Sequence, residues 1–190
     1  MDIPKGAKQV YVVFSTDVNP TTAETLLATM ADCANAGVEE VTLVLATTGG
    51  QVASGLNLYN VLKGMPFRLV THNAGNVDSI GNAVFLAGAP RYAAPNTTFM
   101  FHGVAFKGGD GLIMDEKATK DRLESLQADK NKIAEVITER TKVDAATVDR
   151  MFTQGQLVSA TDAVGLGIVD EVRNVQLTPG APVLSLVFKR

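Results

Sequence analysis

Side chains able to do nucleophilic or acid–base chemistry are few in this chain: two histidines (His72 and His102), one cysteine (Cys33), and a serine, Ser79, at the start of an expected helix. Ser79 lies in the segment Gly75-Asn76-Val77-Asp78-Ser79-Ile80-Gly81. A serine in the first turn of a helix is favoured as it gains negative charge, because unpaired amides and the helix dipole converge there. The segment is not Gly-x-Ser-x-Gly, since Val77 stands at the first glycine position. Asp78 or Ser79 also fits the plainer role of a helix N-cap. A serine nucleophile needs a base. His102 opens a glycine-rich stretch after an apolar run and can approach from a neighbouring strand end, whereas His72 shares the strand that leads to Ser79 and can point away from it. A second set of amides sits at Thr47-Thr48-Gly49-Gly50, ahead of another helix. Adjacent glycines leave backbone N–H groups uncovered, suited to an anion or an oxyanion, although they also make an ordinary tight turn.

Other chemistries find less support. Cys33 falls mid-helix among apolar neighbours and reads as a buried, inert thiol. Two histidines and one cysteine at these spacings form no metal-ligand set, and neither a Gly-x-Gly-x-x-Gly nor a Gly-Lys-Ser/Thr phosphate loop is present, so no cofactor or metal is expected.

The elements that must position these groups follow from periodicity. Val10–Phe14, Val41–Ala46 and Phe67–Thr71 are short apolar, β-branched runs expected as buried strands. Between them lie two helices. The first starts beyond Asn19-Pro20 with Thr21 and Glu24 as a capping box, and ends near Gly37. The second covers Val52–Lys63 and stops at Gly64. Strand, helix, strand, helix, strand at this spacing argues for parallel right-handed crossovers and an α/β class. In such sheets ligands bind beyond the carboxyl ends of the strands, which points to the loops Thr47–Gly50 and Asn73–Gly81. Further on come a helix near Ser79–Leu86 and strands at Arg91–Ala93 and Thr98–Phe101. The stretch Gly103–Gly111 is expected to be mobile. A long charged helix from Met114 to about Thr141 carries Leu123, Leu126, Ile133 and Ile137 on one side. A helix at Asp144–Met151, a strand near Ile168–Val172 and an apolar tail suited to an extra strand or a subunit contact complete the chain.

With 190 residues, 46% hydrophobic and 19% charged, the chain fits one globular domain, residues 1–190, with its core at about 10–172 and a tail at 173–190. The apolar content excludes a disordered chain, and the single cysteine a disulfide scaffold. A formal charge of −3 without a basic block argues against nucleic acid as a partner. No run approaches the ~18–20 apolar residues of a membrane span, so a cytoplasmic protein without membrane partners is expected.

Taken in order, these pieces resemble the proteolytic subunit of the Clp protease family, within the wider ClpP/crotonase fold: a repeated β-α-β spiral with a long handle-type helix. Gly49-Gly50 followed by Gln51–Gly55 and Leu58-Tyr59 resembles the family's Pro-Gly-Gly segment and its helix. Gly75–Gly81 resembles the nucleophile segment Gly-x-Ala-Ala-Ser-x-Gly. Ala87-Gly88, Pro95-Asn96 and Met100-Phe101-His102 follow in the family's order. Ser159–Ala163 and Gly167–Asp170 resemble its Ser-Ala-x-x-Ala and Gly-Leu-x-Asp signature. The resemblance implies Ser79 as nucleophile, His102 as general base, and the amides of Gly50 and Ile80 as oxyanion hole.

Departures accompany it. The family's triad aspartate stands four residues before the Ser-Ala signature, and that position here is Gly155. Gln154 or Gln156 could orient the imidazole as an amide does in Cys-His-Asn enzymes, and Asp149 could reach in from the preceding helix. Val77-Asp78 replaces Ala-Ala before the serine, and a carboxylate there disfavours an alkoxide. Thr47-Thr48 replaces Ser-Pro before the glycines. The family's N-terminal gating segment is largely missing, which argues against a Clp-type ATPase partner. Relatives with a Ser–Lys dyad bring Lys117 and Lys120 into view; both read better as a solvated helix face, with Glu116–Lys120 and Lys117–Asp121 at i,i+4. The resemblance therefore implies a ClpP-like serine endopeptidase acting on peptides or unfolded protein, assembled as a homo-oligomeric ring or stacked ring. A catalytically silent ClpP-like assembly or peptide-binding protein is the alternative, and a crotonase-type acyl-CoA enzyme ranks behind both.

Overall fold

The computed structural model describes residues 3–4, 6–106 and 113–188. Three parallel strands form its centre: β1 (Gln9–Ser15), β2 (Glu40–Thr47) and β3 (Arg68–Asp78). Their sequences are nearly continuous apolar runs because helices cover them; Val10, Val12, Phe14, Val41, Leu43 and Leu45 are all fully buried. The connections are α1 (Pro20–Asn35) and α2 (Val52–Lys63). The expected capping box is displaced by two residues. Asn19, not Thr21, caps α1: its side chain accepts from the Thr22 amide at 3.0 Å, and Thr22 Oγ1 accepts from the Asn19 amide at 3.0 Å. Pro20 then takes the first helical position, where its missing N–H costs nothing. On the core face of α1, burial pushes the Cys33 thiol up to about 11.

The third strand does not stop at Thr71. It runs on to Asp78, so most of the expected Asn73–Gly81 loop is strand. Leu45 pairs with Asn73 but Thr47 pairs with Val77, so β3 spends three residues where β2 spends one. Asn73 holds this bulge together: its side-chain oxygen accepts from the Gly75 amide and its Nδ2 donates to the Thr98 carbonyl, both at 3.0 Å. The bulge divides β3 between two partners. Its first half pairs with β4 (Arg91–Ala93), and Asn76–Asp78 pair with β5 (Thr98–Phe101), both parallel. The chain between them carries α3 (Gly81–Leu86).

Next come α4 (Glu116–Arg140), α5 (Ala145–Gln154), β6 (Gln156–Ser159) and α6 (Ala160–Gly165), then β7 (Glu171–Val172) and β8 (Val183–Ser185). β6 and α6 have no counterpart in the sequence reading. β6 pairs antiparallel with β5, β7 pairs with β4, and the apolar tail supplies β8 alongside β1. The sheet order is β6-β5-β3-β2-β1-β8, with β4 branching from β3 and β7 pairing with β4. The C-terminal end of α4 is fastened to the body: the Arg140 guanidinium donates to the carbonyls of Leu86 and Gly88, while Arg91 donates to the Arg140 carbonyl. Of the apolar side expected along α4, Ile133 and Ile137 are buried, Leu126 is half-buried and Leu123 is 64% exposed. The expected mobile stretch Gly103–Gly111 falls largely outside the described residues. Among the described residues no helix is long and apolar enough to cross a membrane.

Candidate active site

Ser79 is the junction between β3 and α3, and its backbone is strained. Its φ of 57° makes it the one described residue other than glycine in the left-handed region, a conformation that costs an L-residue about 1–2 kcal/mol. Neither Asp78 nor Ser79 caps α3; Ile80 is the N-cap residue, without a side-chain cap bond. The turn is held from the β5 side. The Ser79 amide donates to the Met100 carbonyl at 2.8 Å. Asn82 Nδ2 donates to the carbonyls of Ser79 (3.0 Å) and Met100 (2.8 Å). Strain that the surroundings over-determine in this way is a mark of functional positions.

The glycine loop after β2 lies directly against this turn. A Cβ on Gly49 would stand 2.6 Å from the Asp78 carbonyl oxygen, 2.7 Å from Ser79 Cβ and 3.3 Å from the Ile80 amide nitrogen. Only glycine tolerates that approach at a φ of 80°. Gly50 is fixed by a bridge to Val18, with Val18 donating to the Gly49 carbonyl and Gln51 to the Val18 carbonyl. Among the described residues the amides of Gly50 and Ile80 have no hydrogen-bond partner; Ile80 follows Ser79 in the chain, and Gly50 lines a cavity with it. A cavity of about 250 Å³ brings together Thr48, Gly50, Val52, Ser79, His102 and Phe152.

His102 follows the end of β5 and is exposed. Its Nδ1 lies 2.8 Å from the Gly103 carbonyl. A carbonyl only accepts, so Nδ1 carries the proton and Nε2 keeps its lone pair, the tautomer a general base requires. His72 is placed differently. It is buried in β3, with Nε2 3.0 Å from the Arg173 carbonyl and its ring tilted against Tyr92. Burial holds its pKa below the ordinary histidine range.

The candidates for a third member are also located. The β5–β6 ladder ends with Phe101 paired to Gln156, and His102 and Gly155 are the residues just beyond that last pair. Gly155 ends α5 at a φ of 68°, and a Cβ there would meet nothing within 4 Å. Gln154 and Gln156 are exposed on either side of it. The Asp149 carboxylate is engaged by Lys130. Lys117 donates to Asp121 one turn along α4, and Lys120 is exposed on the same helix.

Two features escaped the sequence reading. The Gly103 carbonyl carries no sequence signal, because any residue would supply it. Asp78 did carry one, as a carboxylate in place of a small apolar residue, but nothing in the chain alone shows what it faces. It is half-buried, and its Oδ1 is shut off from solvent without a hydrogen-bond partner. Burial pushes its carboxyl above the usual range, with the charge of His102 and a backbone contact at Met100 opposing.

Comparison with known proteins bears on this arrangement. The chain superimposes on an asparagine-to-aspartate variant of ClpP1 from Listeria monocytogenes with a TM-score of 0.77, at 20% sequence identity, over 87% of this chain and 92% of that one. At that identity the likeness is one of fold. The family model described as Clp protease matches residues 4–176, which include the glycine loop, the strained serine, His102 and the Ser159-Ala160 signature. The chain belongs to the Clp protease family.

Proposed function

We propose that the chain is a serine-type endopeptidase that cleaves peptides or unfolded segments through an acyl-enzyme. One observation carries this reading: a strained Ser79 shares a cavity with His102 and with Gly50, whose amide, like that of Ile80 next to the serine, has no hydrogen-bond partner among the described residues. In the first half-reaction Ser79 Oγ bonds to the scissile carbonyl carbon while its proton passes to His102 Nε2. The carbonyl oxygen becomes an oxyanion held by the Gly50 and Ile80 amides. Collapse breaks the C–N bond, and the imidazolium returns its proton to the leaving amine. Water then repeats the sequence and frees the acid, regenerating Ser79. The Gly103 carbonyl keeps the imidazole in the working tautomer, a task the family assigns to the aspartate replaced here by Gly155. Family membership also supports a homo-oligomeric ring or stacked ring, with the exposed first half of α4 available to a neighbouring subunit.

Intact-mass labelling with a fluorophosphonate probe tests the reading, with wild type beside Ser79→Ala. A single adduct on wild type, absent from the variant, is expected. No adduct on a folded wild type overturns it and favours the second reading, a silent peptide-binding assembly, for which the missing carboxylate at Gly155 is the supporting observation.

A further inference from the structure

A triad carboxylate has two separable tasks: it orients the imidazole, and it balances the positive charge that appears when the imidazole takes the serine proton. A neutral carbonyl can do the first and does the second poorly. A half-buried carboxylate next to the serine, with one oxygen shut off from solvent and left without a partner, is therefore a candidate for the second.

Asp78 meets that requirement by its position in the sheet. Asn76, Val77 and Asp78 stand in register with Thr98, Phe99 and Met100. Val77, Phe99 and Phe101 are buried in the core, whereas Asn76, Asp78, Thr98, Met100 and His102 alternate with them onto the opposite face. The hydroxyl of Thr98 donating to Asn76 Oδ1 at 3.2 Å shows that these side chains meet across the strands. Asp78 begins the next row on that face, beside Met100, and His102 is the following residue of the same parity. Its Oδ1 is excluded from solvent and lacks a donor. On the helices of this side, Lys130 of α4 binds Asp149 of α5, and Lys117 of α4 binds Asp121. The charge of His102 lowers the Asp78 carboxyl against the effect of its burial.

We infer that Asp78 is the counter-charge to the His102 imidazolium, so that the work of the triad carboxylate is divided between the Gly103 carbonyl, which orients, and Asp78, which neutralises. This rests on the peptidase reading above. When Ser79 Oγ bonds to the substrate carbonyl and its proton moves to Nε2, Asp78 remains a carboxylate throughout and exchanges no atom. Its charge offsets the imidazolium on the β5 side, while the oxyanion forms at the Gly50 and Ile80 amides. Asp78 is thus a positioning charge that acts through His102 and does not touch the substrate.

The test pairs a titration with a rate. Carbon-13 spectra of the Asp78 carboxyl are followed against pH in wild type and in His102→Ala. Probe labelling of Ser79 is timed in wild type and Asp78→Asn, with thermal melting to confirm that each variant folds. The Asp78 midpoint is expected to rise when the imidazolium is removed. Labelling is expected to slow by about tenfold in Asp78→Asn, since one unit charge is lost from a partly buried site. An Asp78 midpoint that stays put in His102→Ala, or an unchanged labelling rate in folded Asp78→Asn, overturns the assignment while the peptidase reading stands. A wild type that takes no probe overturns the peptidase reading and the catalytic role of Asp78 with it, whatever the titration gives.

Discussion

Gly155→Asp puts a carboxylate next to Gln156, the residue that pairs with Phe101 just before His102, and the structure allows its consequences to be worked out beforehand. The steric cost is small, because a Cβ at this position meets nothing within 4 Å. The backbone cost is real: φ is 68°, and a left-handed L-residue loses about 1–2 kcal/mol, with aspartate among the best tolerated. Replacing glycine returns about 0.4–1 kcal/mol by restricting the unfolded chain. The net loss of about 0.5–1 kcal/mol corresponds to a fall in Tm of roughly 1–4 °C for a chain of this size. The catalytic gain is bounded by exposure. His102 and Gly155 both face solvent, and an exposed charge pair contributes up to about 1 kcal/mol, or roughly fivefold in rate. The assay is the pseudo-first-order rate of fluorophosphonate labelling at Ser79 in four proteins: wild type, Gly155→Asp, Asp78→Asn and the double variant. A gain near fivefold is expected in the Gly155→Asp single variant, and a larger one in the Asp78→Asn background, where the new carboxylate replaces a lost charge and does not merely add to one. A folded Gly155→Asp that labels no faster in either background would refute the reasoning, because it would mean that charge beside His102 does not limit the step.

Other expectations are briefer. Gly49→Ala should abolish labelling and lower Tm, because its Cβ would press to 2.6 Å from the Asp78 carbonyl oxygen at a φ that disfavours alanine; melting and labelling together check it. Asn19→Ala removes the side-chain acceptor of the α1 capping box and should cost about 1 kcal/mol, read as a shift in urea midpoint at constant m-value. Burial raises the folded-state pKa of Asp78 above its ordinary 3.8. The folded state therefore binds the proton more tightly than the unfolded chain, and this contribution is fully present below the unfolded value and lost as pH rises through the folded one. Asp78→Asn should accordingly narrow the loss of stability on going from about pH 4 to pH 7, measured as Tm against pH beside wild type.

The strands and helices that bury one face or both were legible in the chain because burial leaves a periodic trace. Val52–Lys63, Arg91–Ala93 and Thr98–Phe101 have the bounds that their apolar pattern and glycine stops imply. What was not legible depends on partners distant in sequence. β3 continues through Asn73–Asp78, where the composition reads as turn, because Asn73 knits the bulge and β5 arrives to pair with it. β6 is four residues long with only Val158 buried, so it leaves almost no pattern of its own and exists by pairing with β5. At the site, Ser79, His102 and the glycine loop could be named from types and order. The contact of the His102 ring could not, because the Gly103 carbonyl is a backbone atom that any residue would supply.

The long helix α4 has a consequence for how the protein opens. Its 25 residues span about 37 Å, yet its buried residues, Ile133, Val136 and Ile137, all lie in its C-terminal half, where Arg140 also ties it to the carbonyls of Leu86 and Gly88. The same rod therefore holds two kinds of amide. In a free subunit those of the first turns exchange with solvent through local fraying at little free-energy cost, and those near Ile137 exchange only when the sheet itself comes apart. Protection of the first half thus becomes a built-in reporter of contact with a second chain, since residues 116–125 are all exposed.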